Sequence, residues 1–253
     1  SFSKKGSCEY QDLEYPDDCI VDFDMRLIDL FKEMDKKKLT LKMQIRQEYY
    51  RVKELLDGKR PSRMDLFTYM DDDIYRICVS GSHAKENPFQ HYLDFLNELG
   101  ELSEDEQKLY AGIGREFIQT IETTEMQKVY KMPILYSFYN HGNIRLAVTD
   151  EEILESWKEF FDTGTNWKDF PNVNTYEDYK KVTDKQHLSK AKRMPIRFLK
   201  ASGKEFFVEK DGYALALRDE IGDVVGNVVF AEQMGDVLGY RSLEYYRRRY
   251  EEE

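Results

Sequence analysis

Two kinds of stretch in this chain carry side chains suited to chemistry on phosphates. The first kind is acidic. In "YMDDD" (69–73), Asp71, Asp72 and Asp73 follow one another. Adjacent carboxylates hold magnesium ions for phosphoryl transfer when a β-hairpin presents them beside a distant third aspartate. Here the flanks read as helix and not as alternating strand. The run is therefore expected to cap a helix and favour its positive end. Asp22 and Asp24 of "VDFD" are another acidic pair. A metal-dependent nuclease would join such a pair to a later Glu-x-Lys on a strand. In "FFVEKDG", Glu209, Lys210 and Asp211 crowd one turn, the wrong geometry for a single metal site. A nuclease is thus only a remote alternative.

The second kind is basic. The stretch "KQHLSKAKR" (185–193) and its continuation put Lys190, Lys192, Arg193, Arg197 and Lys200 on one expected helix. Lys204 and Lys210 follow in a ribbon. Grouped bases of this kind contact nucleic-acid phosphates, which position the ligand without specifying its sequence. These residues are the expected nucleic-acid-binding set. Other basic groups, "KKKLTLK" (36–42), Lys59 with Arg60 and Arg63, and "RRR" (247–249), read as solvated helix faces. "YRSLEYYRRRY" (240–250) mixes aromatics with bases, but the reading is a helix with an aromatic face inward.

Other chemistries find no support. There is no G-x-x-x-x-G-K-[ST] phosphate loop and no G-x-G-x-x-G after a strand. Ser82-His83 has no strand-to-helix elbow around it. The cysteines Cys8, Cys19 and Cys78 lack metal-ligand spacing, and His83, His91, His141 and His187 are scattered. No catalytic residue, no metal site and no cofactor is expected in this chain.

The bulk properties fit that picture. Of 253 residues, 41% are hydrophobic and 34% charged, a globular balance, and 14% aromatics is too rich for a disordered chain. The sparse, odd cysteine count argues for free thiols and a cytoplasmic protein. No apolar run approaches the roughly 20 residues of a membrane span, and no signal peptide is evident. The chain opens on Ser1 and not methionine, as a piece cut from a longer protein would. The net charge of -11 allows nucleic-acid binding only through a local patch.

The expected fold class is mainly α: multi-helical, with a winged-helix-like unit carrying a small β-hairpin. Residues 1–19 read as a tail or connector. Residues 20–130 read as a helical domain with a helix-turn-helix-like segment, and 131–253 as a winged-helix-like domain with a C-terminal helix. Thr40, Ser62, Ser103 and Thr149 are expected N-caps, the last two in capping boxes with Glu106 and Glu152. Asn87 is expected to cap a helix with Pro88 at its first position. Residues 163–187 read as a long exposed loop with at most a short helix. Asp211-Gly212 signals the hairpin turn. Lys131-Met132-Pro133-Ile134 recurs as Arg193-Met194-Pro195-Ile196. The recurrence reads as two helices that start with the same device, proline in the first turn.

Four segments, "CIVDFDMRLIDLFKEM", "RPSRMDLFTYMDDDIY", "MPILYSFYNHGNIRLAVTDEEILESWKEFF" and "MPIRFLKASGKEFFVEKDGY", resemble the C-terminal region of bacterial superfamily II DEAD/DEAH-type helicases. The third also resembles helix-turn-helix segments of restriction and defence enzymes. The resemblance spans nearly the whole chain, and its motifs are structural. It implies a non-catalytic region that positions nucleic acid or regulates the motor. It further implies ATP and magnesium sites only in motor domains that this chain lacks. The implied partners are those motor domains on the same polypeptide and possibly DNA, with no membrane. The acidity and aromatic content support an alternative, a protein–protein interaction module without nucleic-acid contact.

Overall fold

The computed structural model describes residues 39–250. Asp22, Asp24, Cys8, Cys19 and the expected tail 1–19 lie outside the described residues. Helix after helix begins where a side chain satisfies the first free N–H groups. The Ser62 hydroxyl accepts from Asp65 N at 3.1 Å, and the Asp65 carboxylate accepts from Ser62 N at 2.8 Å. That box opens α2 (Arg63–Tyr69), which follows α1 (Leu41–Leu55). Asp71 accepts from Asp73 N and Ile74 N and opens α3 (Asp72–Val79). Two further helices follow, α4 (Tyr92–Leu99) and α5 (Glu104–Tyr110), with Gly100 between them at φ 71. Ser103 and Glu106 form the expected box at the start of α5. Then come α6 (Ile113–Thr123), α7 (Lys131–Tyr139), strand β1 (Ala147–Val148) and α8 (Asp150–Asp162). Thr149 and Glu152 cap α8 as expected.

Asn87 behaves differently from the expectation. Its Oδ1 accepts from Phe89 N at 2.9 Å, which closes a turn and not a helix. The helix starts at Tyr92, whose N–H donates to Glu122 Oε1 at 3.2 Å. The stretch 163–187 is also more ordered than a loop. It contains α9 (Tyr176–Lys180) and the start of α10 (Asp184–Ala191), and it buries Asp169, Phe170, Tyr179 and His187.

Pro133 is the third residue of α7, inside its first turn. Pro195 is not at a helix start. It lies within a π-helical turn, Lys192–Ile196, joining α10 to α11 (Arg197–Ser202). Proline has no N–H and crowds the carbonyl four residues back, and a widened turn accommodates it. The recurring motif is therefore one helix start and one mid-helix bulge.

The hairpin strands β2 (Phe207–Val208) and β3 (Leu215–Leu217) are short, with Gly212 at φ 82 in the turn. Phe207 faces Leu217 and Ala147 faces Ala216, both antiparallel, so the sheet order is β1-β3-β2. Along the chain this small sheet is carried in the order α7, β1, α8, α9, α10, α11, β2, β3. Central β3 is buried along its length.

After α12 (Gly222–Val225), the chain ends its described part in α13 (Val228–Tyr250), one continuous helix. It packs on α2, α6 and α7. Leu243 and Tyr250 on it are exposed, while Phe230, Met234, Val237 and Leu238 are buried. From Ile45 onward the described residues form one compact unit, and the expected boundary at 130/131 falls inside it.

A buried polar cluster links these helices. Arg63, with no exposed surface, donates to Glu122 Oε1 at 2.9 Å, to Gln233 Oε1 at 2.7 Å and to Asp236 Oδ2 at 2.9 Å. Its guanidinium lies 4.5 Å from the centre of the Tyr92 ring. The cluster satisfies the buried cation from several helices at once, as a buried charge requires.

Candidate nucleic-acid interface

The segment 184–202 is a helix that stands out from the body along most of its girth. Thr183 and Gln186 cap it reciprocally. His187, Ala191, Pro195 and Leu199, spaced by four, form its buried stripe. The sides of this helix carry the bases expected to meet phosphates. The structure places Lys190, Lys192, Arg193, Arg197 and Lys200 on it, Lys204 in the turn before β2, and Lys210 in the hairpin that follows.

Their surroundings divide them. Lys192 Nζ lies 2.9 Å from Asp150 on α8. Lys200 Nζ lies 2.8 Å from Glu209, whose carboxyl it holds below the usual range. Lys210 Nζ is 3.9 Å from Asp219 and 6.0 Å from the Tyr213 ring centre. Lys190 lies over the Tyr130 ring, 4.9 Å from its centre. Burial, then the neighbouring Arg193 and Lys128, push its ammonium pKa down. The side chains of Arg193, Arg197 and Lys204 are exposed and make no hydrogen bond or ion pair among the described residues; neither does that of Lys185, about two turns before Arg193. A cation beside a carboxylate presents little field to an incoming phosphate. The unpaired bases therefore carry most of the attraction of this surface.

Sequence reasoning gave no surface role to Met194 and Phe198 on the same helix, which are 40% and 48% exposed. They line a cleft of about 920 Å³ between the helix, the end of α6, the segment leading into α7, and residues 168–172. Lys128, Lys131, Lys168 and Lys190 all border it. Lys131 is buried, and its Nζ reaches Thr124 Oγ1 and Glu125 O, each at 2.9 Å. Lys128 Nζ is 2.9 Å from the buried Asp169, which also accepts from the Tyr245 hydroxyl at 2.9 Å. No local pattern marks this convergence, because the lysines come from separate segments and meet only through folding.

The acidic stretches do not assemble. The Asp71 carboxylate caps α3, and Asp72 is 2.6 Å from Arg247. Glu209 is taken by Lys200. Among the described residues no group of acidic, histidine or cysteine side chains could hold a metal ion, and no helix is long and apolar enough to cross a membrane. Compared with known proteins, the chain matches no family model, no curated protein and no solved structure.

Proposed function

We propose that this chain is a non-catalytic accessory region of a DEAD/DEAH-type helicase, and that it holds nucleic acid for the ATP-driven motor through the helix at 184–202. The observation that carries this reading is the pair Arg193 and Arg197. They sit four residues apart, exposed and without a carboxylate partner among the described residues, on a helix followed by the β2–β3 hairpin. In a chain of net charge -11 such a surface is the local patch that backbone binding requires. The test is binding of a short duplex over a series of salt concentrations. Arg193→Ala with Arg197→Ala is expected to weaken binding and to flatten the slope of log K against log salt by roughly 0.9 per lost phosphate contact. Unchanged affinity and slope would remove the reading.

A second reading is favoured by Met194 and Phe198, apolar and exposed beside those arginines. Such residues suit a protein partner such as the motor domains themselves. In that case Phe198→Asp breaks a complex with the motor while duplex affinity stays as in the wild type.

A further inference from the structure

The cleft beside Met194 and Phe198 holds an electrostatic anomaly. Lys131 is about nine-tenths buried, with 9% of its surface exposed. Its ammonium has three donors. Two of them go to a hydroxyl and a backbone carbonyl, and no carboxylate among the described residues lies within ion-pair distance. The residue opens α7, whose N-terminal end is itself positive and has no acidic residue in its first turn. Arg241 donates to the backbone O of Thr124, whose hydroxyl Lys131 contacts, and adds positive charge, with its Nε buried and unpartnered among the described residues. Burial and Arg241 both push the Lys131 pKa down, against the pull of Glu125. A buried, uncompensated cation is costly in a folded protein. An anion in the cleft offsets that cost.

The rest of the wall says what else the anion carries. Lys190 also borders the cleft, over the Tyr130 ring, and Lys168 is exposed and without a partner among the described residues. Next to these cations the wall turns apolar at Met194 and Phe198. The volume of about 920 Å³ is in the range of small-ligand pockets. We propose that this cleft is a nucleotide site, in which a phosphate lies against Lys131 and Lys190 and the attached base lies along Phe198 and Met194. As one unit of a single strand the ligand deepens the nucleic-acid reading and rests on it. As a free nucleotide it stands without it.

The experiment is calorimetric titration of the full chain with adenosine monophosphate, a short oligothymidylate and inorganic phosphate. Wild type is compared with Lys131→Met and Phe198→Ala. Lys131→Met keeps the length and removes the buried charge, so its thermal midpoint is expected to stay or rise; Phe198 is exposed, so its truncation leaves the core intact. Lys131→Met is expected to weaken nucleotide binding by about tenfold or more, the scale of one charge-assisted contact. Phe198→Ala is expected to weaken it by roughly fivefold or more, the lower end of base–aromatic stacking, with phosphate binding unchanged. Tighter binding of the oligonucleotide than of the mononucleotide identifies a single strand as the source; equal binding identifies a free nucleotide. No binding of any probe, binding indifferent to Lys131→Met, or phosphate bound as tightly as the mononucleotide would overturn the proposal. Duplex binding through Arg193 and Arg197 is read separately, so failure of that reading leaves these outcomes distinct.

Discussion

Lys200 Nζ donates to Glu209 Oε1 at 2.8 Å and ties the last turn of the helix at 184–202 to the residue after β2. The pair fixes the hairpin against the helix and cancels the charge that Lys200 would offer to a ligand. Lys192 stands in the same relation to Asp150. The basic face of this helix is thus narrower than its sequence implies.

That narrowing gives the first prediction. Lys192→Ala and Lys200→Ala are expected to change duplex affinity by less than Arg193→Ala or Arg197→Ala, because each lysine already has a carboxylate beside it. As exposed, solvent-screened pairs they contribute little to stability, so chemical denaturation should barely register their loss. Fluorescence anisotropy and urea unfolding on the same variants check both halves.

The hinge between helix and hairpin gives the second. A Cβ on Gly203 would sit 2.7 Å from Phe207 Cδ2 and 3.1 Å from Leu199 O. Phe207 is buried and pairs with Leu217 across the sheet, so it has little room to retreat. Gly203→Ala is expected to destabilise the protein by about 1–3 kcal/mol, the range for overpacked sites. A shift of the urea midpoint measures it.

The third concerns Arg63. Arg63→Ala leaves Glu122 buried with its main cationic partner gone. Breaking a buried pair from one side is expected to cost about 3–5 kcal/mol. Replacing Arg63 by methionine and Glu122 by glutamine together should recover part of that loss. Equal destabilisation by the single and the double variant would contradict it.

The fourth is a pH effect. His187 is buried between the Phe170 and Tyr179 rings, with ring centres 5.0 and 5.6 Å away. Burial comes first, then the charge of Lys158; together they push its pKa down, against the weaker pull of Asp184 and Asp162. The unfolded chain therefore binds a proton near pH 6.5 that the folded chain refuses. This contribution to stability is full above about pH 6.5 and is lost as pH falls below it. Thermal midpoints between neutral and mildly acid pH should fall more steeply in the wild type than in His187→Phe.

Much of the local structure was legible because it is written in adjacent residues. Ser62, Ser103 and Thr149 act as caps because their partners Asp65, Glu106 and Glu152 are three residues away. Gly212 reads as a turn for the same reason. What was not legible depends on distant residues. Asn87 has the look of a cap, but the N–H of Tyr92 goes to Glu122 from α6. Pro195 resembles a helix start, but the buried stripe from His187 to Leu199 carries the helix through it. The basic helix was legible as a group of residues. Which of its bases stay unpaired was not, since Asp150 and Lys192 are 42 residues apart. Nor was the cleft, whose lysines meet across the same kind of distance.

The central claim is that the helix at 184–202 contacts nucleic acid through its unpaired bases. The most direct measurement is the salt dependence of duplex binding by the wild type and by the Arg193→Ala, Arg197→Ala double variant. The account predicts measurable binding by the wild type and, in the variant, weaker binding with a slope shallower by roughly 0.9 per lost contact. No binding by the wild type, or identical slopes for the two proteins, would contradict it.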